Sequence, residues 1–146
     1  MLYFGEVGNL FNIKYESDVV MNECQEIKNL HSKLLKKDYY FFPEKGTSVK
    51  LCKEQGVYII YGSDKITVLH VGTTKTAKGG INQRLNDHRN GNSSFSKKYL
   101  KPNKIKLSQG NIFRYIVVDD ARKRVFLEAL TIGLLCPLHI GTGERN

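Results

Sequence analysis

Two runs of β-branched and aromatic residues lie directly before a helical segment, and no other stretch limits the fold of this chain so strongly. The runs cover residues 56–62 and 66–72, and the turn-forming residues 62–65 join them. This composition predicts two strands in a β-hairpin. Residues 81–88 follow, with apolar and aromatic side chains at offsets of four and seven. That spacing predicts a helix packed against the hairpin.

Four polar side chains on these elements are candidates for a functional site. Tyr58 lies on the first predicted strand and His70 on the second, whereas Arg84 and His88 are four residues apart on the helix. Residues four apart share one helix face, so the arginine and the histidine point the same way. A phenol, a guanidinium and imidazoles that converge on one spot suit chemistry on a phosphate better than they suit a core.

Three further elements are predicted from the rest of the chain. Residues 111–119 predict a third strand, and residues 121–135 predict a helix that Pro137 ends. This helix is expected to be the most buried one, through Val125, Phe126, Leu127, Ala129, Leu130, Ile132, Leu134 and Leu135. Residues 16–37 carry an apolar stripe near period 3.6 and predict an N-terminal helix. Residues 38–48 are interpreted as an aromatic strand or loop.

The fold class expected from these elements is α/β, of the α+β type. A small, three-stranded, mostly antiparallel sheet is flanked by helices, and the N-terminal helix forms an extra layer. A chain of 146 residues is the size of one domain. We expect a single domain over residues 1–146, with an N-terminal helical and aromatic extension at 1–50 and a core at 51–140.

Positive charge is concentrated in one part of the chain. Nine basic residues and one acidic residue lie between positions 75 and 106, so this stretch supplies +8 of the net charge of +9. Such asymmetry favours a polyanionic partner, nucleic acid ahead of an anionic membrane surface. The candidate phosphate-binding residues are Lys75, Lys78, Arg89, Lys97 and Lys98. No apolar run approaches the roughly 20 residues that span a bilayer, so no membrane partner is expected.

The three cysteines have no spacing typical of a zinc site or of a disulfide framework. They are interpreted as free thiols in a reducing compartment, and the N-terminus lacks the pattern of a signal peptide. A cytoplasmic location is therefore expected.

One acidic residue stands out in the last predicted helix. Glu128 is flanked by Phe126, Leu127, Ala129 and Leu130. A carboxylate among apolar neighbours faces either solvent or a polar pocket. Carboxylate oxygens are ligands that suit Mg²⁺ or Mn²⁺, so Glu128 is a candidate metal ligand.

The order of these residues resembles that of the GIY-YIG nuclease family. Residues 56–58, Gly-Val-Tyr, stand for the first tripeptide, and residues 70–72, His-Val-Gly, stand for the second. The resemblance assigns the family's helical arginine to Arg84, its His or Tyr one turn later to His88, and its metal-binding glutamate to Glu128.

Two positions depart from the family pattern within the region of resemblance, residues 56–140. The second tripeptide normally begins with tyrosine, and here it begins with His70. The family often ends with an asparagine just after a proline, and its counterpart here is His139 or, in the other alignment, Ile140. Either histidine is able to contact a phosphate, and either can equally mark an altered site.

The resemblance implies a divalent-metal-dependent endonuclease. In that role Glu128 holds Mg²⁺ (or Mn²⁺), Arg84 binds the phosphate through its planar fork, and Tyr58 is a general base. His70 and His88 are candidates to take or share the tyrosine proton. Lys75 and His139 are candidates to contact the phosphate.

The expected substrate is double-stranded DNA, cut in a restriction-type reaction by a compact enzyme. Cleavage of both strands by a small active site suggests a homodimer or higher homo-oligomer. Two alternatives stay open from sequence alone. One is a non-catalytic nucleic-acid-binding module with a degenerate site, and the other is an RNase on the same scaffold.

Overall fold

The computed structural model describes residues 22–44, 46–75 and 78–141. Within these ranges the elements are helix α1 at residues 22–35, strands β1 (Tyr40–Phe41), β2 (Gly56–Tyr61) and β3 (Val68–Thr73), helix α2 (Gly80–Arg89), a π-helical turn (Ser96–Leu100), strand β4 (Ile112–Val117) and helix α3 (Ala121–Leu135). The start of the predicted N-terminal helix, residues 16–21, lies outside the described residues. The expected α+β class is confirmed.

The sheet has four antiparallel strands in the order β1-β4-β2-β3. The predicted hairpin and the third predicted strand are present as β2, β3 and β4. The prediction of three strands was wrong by one, because Tyr40 and Phe41 pair with Phe113 and Ile112 along the outer edge of β4. Two residues are too few to show the alternation that indicates a strand, so the sequence pattern does not distinguish a strand from a loop in this segment.

The central strand β2 is buried along its whole length because helices cover both faces of the sheet. Successive side chains alternate between the faces. One face packs against α2 and the π-helical turn, through Tyr58, Ile60, Ile81, Leu85, Phe95, Leu100 and Phe113. The other packs against α1 and α3, through Ile27, Leu34, Val57, Ile59, Val71, Ile116 and Leu127.

Helix α3 has the predicted bounds but a different buried face. Its first turn is capped by Asp120, whose side chain accepts a 3.0 Å hydrogen bond from the Lys123 amide. The fully buried residues are Arg124, Leu127 and Thr131, whereas Val125 and Leu134 are 62% and 61% exposed. The expectation that α3 is the most buried helix was therefore wrong. Leu130, Ile132 and Leu135 are half-buried and also pack against this core, so the buried face is a stripe that leaves Val125, Phe126 and Leu134 exposed.

The segment after α3 extends the sheet edge beside β3. The Leu138 amide donates to the Val68 carbonyl at 3.1 Å, and the His139 amide donates to the Leu69 carbonyl at 3.0 Å. This parallel bridge brings His139 beside His70. No helix within the described ranges is both long and apolar enough to cross a bilayer.

Gly72 makes room for the Tyr58 side chain. The two residues are cross-strand partners in the hairpin, and a Cβ atom at position 72 would overlap the hydroxyl and ring carbons of Tyr58. The second tripeptide of the sequence pattern therefore has a steric reason for its glycine. Without a side chain there, the phenol lies across β3, the edge strand that α3 contacts.

We expect Gly72→Ala to lower the free energy of unfolding by about 1–3 kcal/mol, the usual range for overpacking a closed core site. Gly133→Ala is the matched control, because nothing lies within 4 Å of a Cβ at position 133 in the middle of α3. That variant should gain about 0.5–1 kcal/mol from the higher helix propensity of alanine. Urea unfolding measures both. Equal stability of the two variants would contradict the described packing of Tyr58 on Gly72.

Candidate active site

The Tyr58 hydroxyl is wholly buried and bonded to a histidine from the neighbouring helix. Its oxygen lies 2.6 Å from His88 Nε2, and the exposed fractions of the two residues are 0% and 1%. Tyr58 points toward α2 because its neighbours on β2 point to the other face. His88 reaches it from the last turn of α2, one turn beyond Arg84.

Two serines complete the hydrogen bonding of His88. Its Nδ1 atom lies 2.7 Å from Ser93 Oγ, and Ser93 Oγ lies 3.1 Å from Ser96 Oγ. The Ser96 hydroxyl donates to the main-chain carbonyl of His88 itself. Sequence reasoning missed both serines, because residues 92–94 are typical of a solvated loop. Their only signal is the position of Ser93, five residues after His88.

His70 joins the same cluster from β3. Its ring stacks on Phe95 with a centroid distance of 4.5 Å and meets the His88 ring edge to face at 5.1 Å. Its Nδ1 atom shares a 3.1 Å hydrogen bond with His139 Nδ1. The two positions that depart from the family pattern are therefore partners of each other. Both rings are buried.

Burial keeps this histidine cluster neutral at pH 7. It lowers the pKa of His70 to about 3, with smaller contributions from the charges of His139 and Arg84. Burial also holds the pKa of His88 well below its usual value and lowers that of His139. Uncharged imidazoles have a free nitrogen that can accept a proton, so His88 is able to serve as an acceptor for Tyr58.

The pKa of the Tyr58 phenol is raised well above its usual value, and burial is the largest cause. Arg84 opposes this rise through its charge and by hydrogen bonding, and the negative charges of Glu128 and Asp87 add to it. Tyr58 is thus a protonated phenol at neutral pH. These opposing effects also show that Arg84 and Glu128 lie within electrostatic reach of the same hydroxyl.

Glu128 is half-buried at the same place. Burial raises the pKa of its carboxyl, and the positive charges of Lys75 and Arg84 lower it. Within the part of the chain that the structure describes, its carboxylate has no hydrogen bond or ion pair. Its oxygens therefore keep their capacity to bind a cation.

A cleft of about 240 Å³ opens at Arg84. It is lined by Thr74, Lys75, Gly80, Gln83, Arg84 and Asp87. Among the described residues, no three His, Cys, Asp or Glu side chains converge in a way that would hold a metal ion by themselves. Magnesium is commonly held by one or two carboxylates, with water and substrate phosphates as its other ligands. The Glu128 carboxylate fits that pattern, because its oxygens are free of described partners.

A buried arginine anchors the loop that carries Lys75. Arg124 donates to the carbonyls of Val118 and Asp119 at 2.9 and 2.7 Å, and to the Lys75 carbonyl at 3.3 Å. Thr74 ties the same loop to the start of β2, since its Oγ1 accepts from the Gly56 amide at 2.8 Å. Sequence reasoning missed Arg124, which looks like one of several charges at the start of α3.

The candidate phosphate-binding residues divide into free and engaged side chains. Lys75, Lys78, Lys97 and Lys98 are exposed, and the charge of Lys98 acts on His139. Arg89 is half-buried, and its Nη1 donates to the carbonyls of Pro43 and Glu44 at 3.2 and 2.9 Å. The Arg89 guanidinium therefore supports the fold at the end of α2. His139 is likewise turned inward.

The five candidate catalytic residues are linked either by direct contact or through the charge of Arg84. Tyr58 bonds His88, His70 lies against His88, and the charge of Arg84 acts on all three and on Glu128. No family model and no curated protein sequence matches this chain. The resemblance to the GIY-YIG family therefore rests on the motif residues of the sequence alone.

Folding stability should fall as the pH is lowered from 6.5 to 4.5. The pKa of His70 and His88 is depressed in the folded protein, so below about pH 6.5 the unfolded chain binds more protons. Each such histidine contributes about 1.4 kcal/mol per pH unit to the slope of the free energy of unfolding against pH, and the protein becomes less stable as the pH falls. Urea unfolding across this range measures the slope.

His70→Phe is the variant that isolates this effect, because it keeps a ring on Phe95 and removes one titrating group. Its slope should be shallower by up to about 1.4 kcal/mol per pH unit. Two other groups also titrate: His31 bonds Thr131 on the other side of the sheet, and Glu128 has a raised pKa that acts with the opposite sign. Both are present in the variant and in the unsubstituted protein, so their contributions cancel in the comparison. An unchanged slope would show that His70 is not held neutral.

Proposed function

We propose that this protein is a divalent-metal-dependent endonuclease that hydrolyses phosphodiester bonds of DNA on the GIY-YIG plan. One observation carries the proposal. The Tyr58 hydroxyl, the Arg84 guanidinium and the Glu128 carboxylate, which come from a strand and two different helices, act on one another electrostatically. Arg84 and Lys75, the two cations whose charges act on Glu128, line one cleft. A phenol paired with a neutral imidazole, an arginine and an unpaired carboxylate are groups that phosphodiester hydrolysis needs.

In this proposal Tyr58 acts as a proton relay. Its hydroxyl passes its proton to His88 Nε2 while it takes a proton from the attacking water, and the resulting hydroxide attacks phosphorus. The bond from phosphorus to the 3′ oxygen breaks, and that oxygen is protonated by solvent. His88, whose pKa is held well below its usual value, then returns its proton to the Tyr58 hydroxyl, which releases one to solvent. Because the pKa of Tyr58 is raised, no free phenolate accumulates, and the two proton transfers occur together.

Arg84 and Lys75 bind the phosphate in the same proposal. The planar guanidinium matches two phosphate oxygens, and Lys75, which also lines the cleft, adds a positive charge. The Tyr58 hydroxyl is buried, so side chains of the cleft wall must shift before a water reaches it.

Glu128 would hold the metal ion, with Mg²⁺ or Mn²⁺ as the candidates. When bound there, the ion supplies positive charge that polarises the phosphate and stabilises the leaving oxygen. Burial raises the pKa of Glu128, and the charges of Lys75 and Arg84 oppose that rise, which favours the ionised form that binds a cation.

A non-catalytic nucleic-acid-binding module is the competing function. The burial of Tyr58 and the pairing of His70 with His139 favour it, because both close the centre of the site. An RNase is a third candidate that uses the same groups.

Restriction-type cleavage of both DNA strands is the finer proposal. One cleft cuts one strand, so it requires two copies of the chain on the DNA. Light scattering of the DNA complex tests this requirement. If both strands are cut by a complex that has the mass of the DNA and a single 16.7 kDa chain, the requirement is excluded.

Nicking of supercoiled plasmid with Mg²⁺ or Mn²⁺ tests the enzyme proposal. Tyr58→Phe, Arg84→Lys and Glu128→Gln should each lower the rate at least about a hundredfold, as loss of a general base or of a charged transition-state contact does. Asp38→Asn is the matched control, since Asp38 is an exposed carboxylate next to β1, at the edge of the sheet opposite β3, and is not part of the cleft lining; this variant should cut normally.

The same assay separates the three candidate functions. Duplex DNA should be cut in preference to structured RNA, and EDTA should stop the reaction. Binding of DNA without any cutting would favour the non-catalytic module, and a preference for RNA would favour the RNase.

DNA affinity should depend on salt through the exposed lysines of the π-helical turn. The double variant Lys97→Ala with Lys98→Ala should reduce the slope of log K against log salt by about 1.8, because each phosphate contact contributes about 0.9. Lys36→Ala with Lys37→Ala is the matched control, because these exposed lysines follow α1, which packs on the other face of the sheet. Fluorescence anisotropy from 50 to 200 mM salt measures both slopes. Equal slopes would place the DNA elsewhere.

A further inference from the structure

The hydrogen atoms around His88 can be assigned one at a time, starting from Ser96. A main-chain carbonyl only accepts, so the Ser96 hydroxyl donates to the His88 carbonyl. A serine hydroxyl has a single hydrogen atom, and this bond uses the one on Ser96. The contact between Ser93 Oγ and Ser96 Oγ, at 3.1 Å, must therefore use the hydrogen atom of Ser93.

Ser93 is thereby left as an acceptor toward the imidazole. Its oxygen also accepts the Ser96 amide at 3.1 Å. Its own hydrogen atom points to Ser96, so the hydrogen atom in the 2.7 Å contact with His88 must lie on Nδ1. In this assignment Ser93 Oγ donates one hydrogen bond and accepts two, and Ser96 Oγ donates one and accepts one.

We infer that Ser93 is a positioning residue that holds His88 as the Nδ1–H tautomer and so leaves Nε2 bare toward the Tyr58 hydroxyl. A neutral imidazole protonated on Nδ1 has its lone pair on Nε2. The Tyr58 hydroxyl must then donate across the 2.6 Å contact. In the opposite tautomer, Nε2–H would donate to the Tyr58 oxygen, and Nε2 could not accept the proton of the phenol.

The chain reversal after α2 is built to hold this arrangement. Gly91 has a φ of +83°, a left-handed conformation that favours glycine, and the Asn92 amide donates to the Asp87 carbonyl at 2.9 Å. These features turn the chain back over the last turn of α2. Ser93 and Ser96 are consequently 3% and 2% exposed, so water does not compete for His88 Nδ1.

The catalytic meaning of this inference rests on the proposed nuclease function, but its first test does not require activity. Long-range proton–nitrogen NMR spectra of ¹⁵N-histidine-labelled protein distinguish a protonated ring nitrogen from a bare one. The chain has four histidines, and loss of one signal set in His88→Asn assigns His88. We expect a protonated Nδ1 and a bare Nε2 in the unsubstituted protein. A bare Nδ1 would overturn the inference.

Two serine variants test the cause of the tautomer. Ser93→Ala removes the acceptor, and the ratio of Nδ1–H to Nε2–H forms should fall about fivefold or more, the equivalent of one neutral hydrogen bond. Ser96→Ala frees the Ser93 hydrogen atom to donate to Nδ1, so it should move the ratio the same way. Ser93→Thr keeps the acceptor and should keep the tautomer. An unchanged ratio in both alanine variants would overturn the role of Ser93.

Activity supplies the second readout. Ser93→Ala should lower kcat about tenfold with KM unchanged, because the proton acceptor and not DNA binding is affected, and Ser93→Thr should restore it. If the unsubstituted protein has the Nδ1–H form but cuts no DNA, the nuclease proposal fails and the assignment of Ser93 stands. If it cuts DNA with a bare Nδ1, the assignment fails and the nuclease proposal stands.

Discussion

The contact between the Tyr58 hydroxyl and His88 Nε2 is the interaction on which the site depends. Both groups are polar and completely buried, so each would be costly without the other. Their meeting requires three separate features: a strand that turns Tyr58 toward α2, a glycine opposite it that leaves space for the phenol, and a helix that ends at His88. Disturbing any of these leaves a polar group unsatisfied in the core.

The charges of the site are arranged around neutral groups. Tyr58, His70 and His88 are uncharged at pH 7, and Arg84, Lys75 and Glu128 carry the charge near the cleft. Desolvation accounts for the first set, because a buried imidazole or phenol is penalised in its charged form. A phosphate in the cleft would thus meet the cations Lys75 and Arg84 in its lining. This separation of tasks is what the proposed hydrolysis uses.

Much of this arrangement could be predicted from the sequence, since the hairpin, α2, β4 and α3 were each signalled by a local pattern with a clear period. The two-residue strand at Tyr40 was too short for such a pattern. The exposed side of α3 was misjudged because apolar residues occur all around it, and only packing decides that Leu127 faces the sheet. Ser93 and Arg124 could not be found because their roles depend on hydrogen bonds between segments distant in sequence or folded back on each other.

The anchoring of the Lys75 loop has a consequence for how the protein can vary. Among the described residues, Arg124 donates only to main-chain oxygens, at positions 75, 118 and 119. Every amino acid offers such an oxygen, so exchanging the side chains at these three positions leaves the anchor unchanged. Position 75 forms part of the cleft wall, and its chemistry can therefore be altered by substitution while the shape of the backbone around it is preserved.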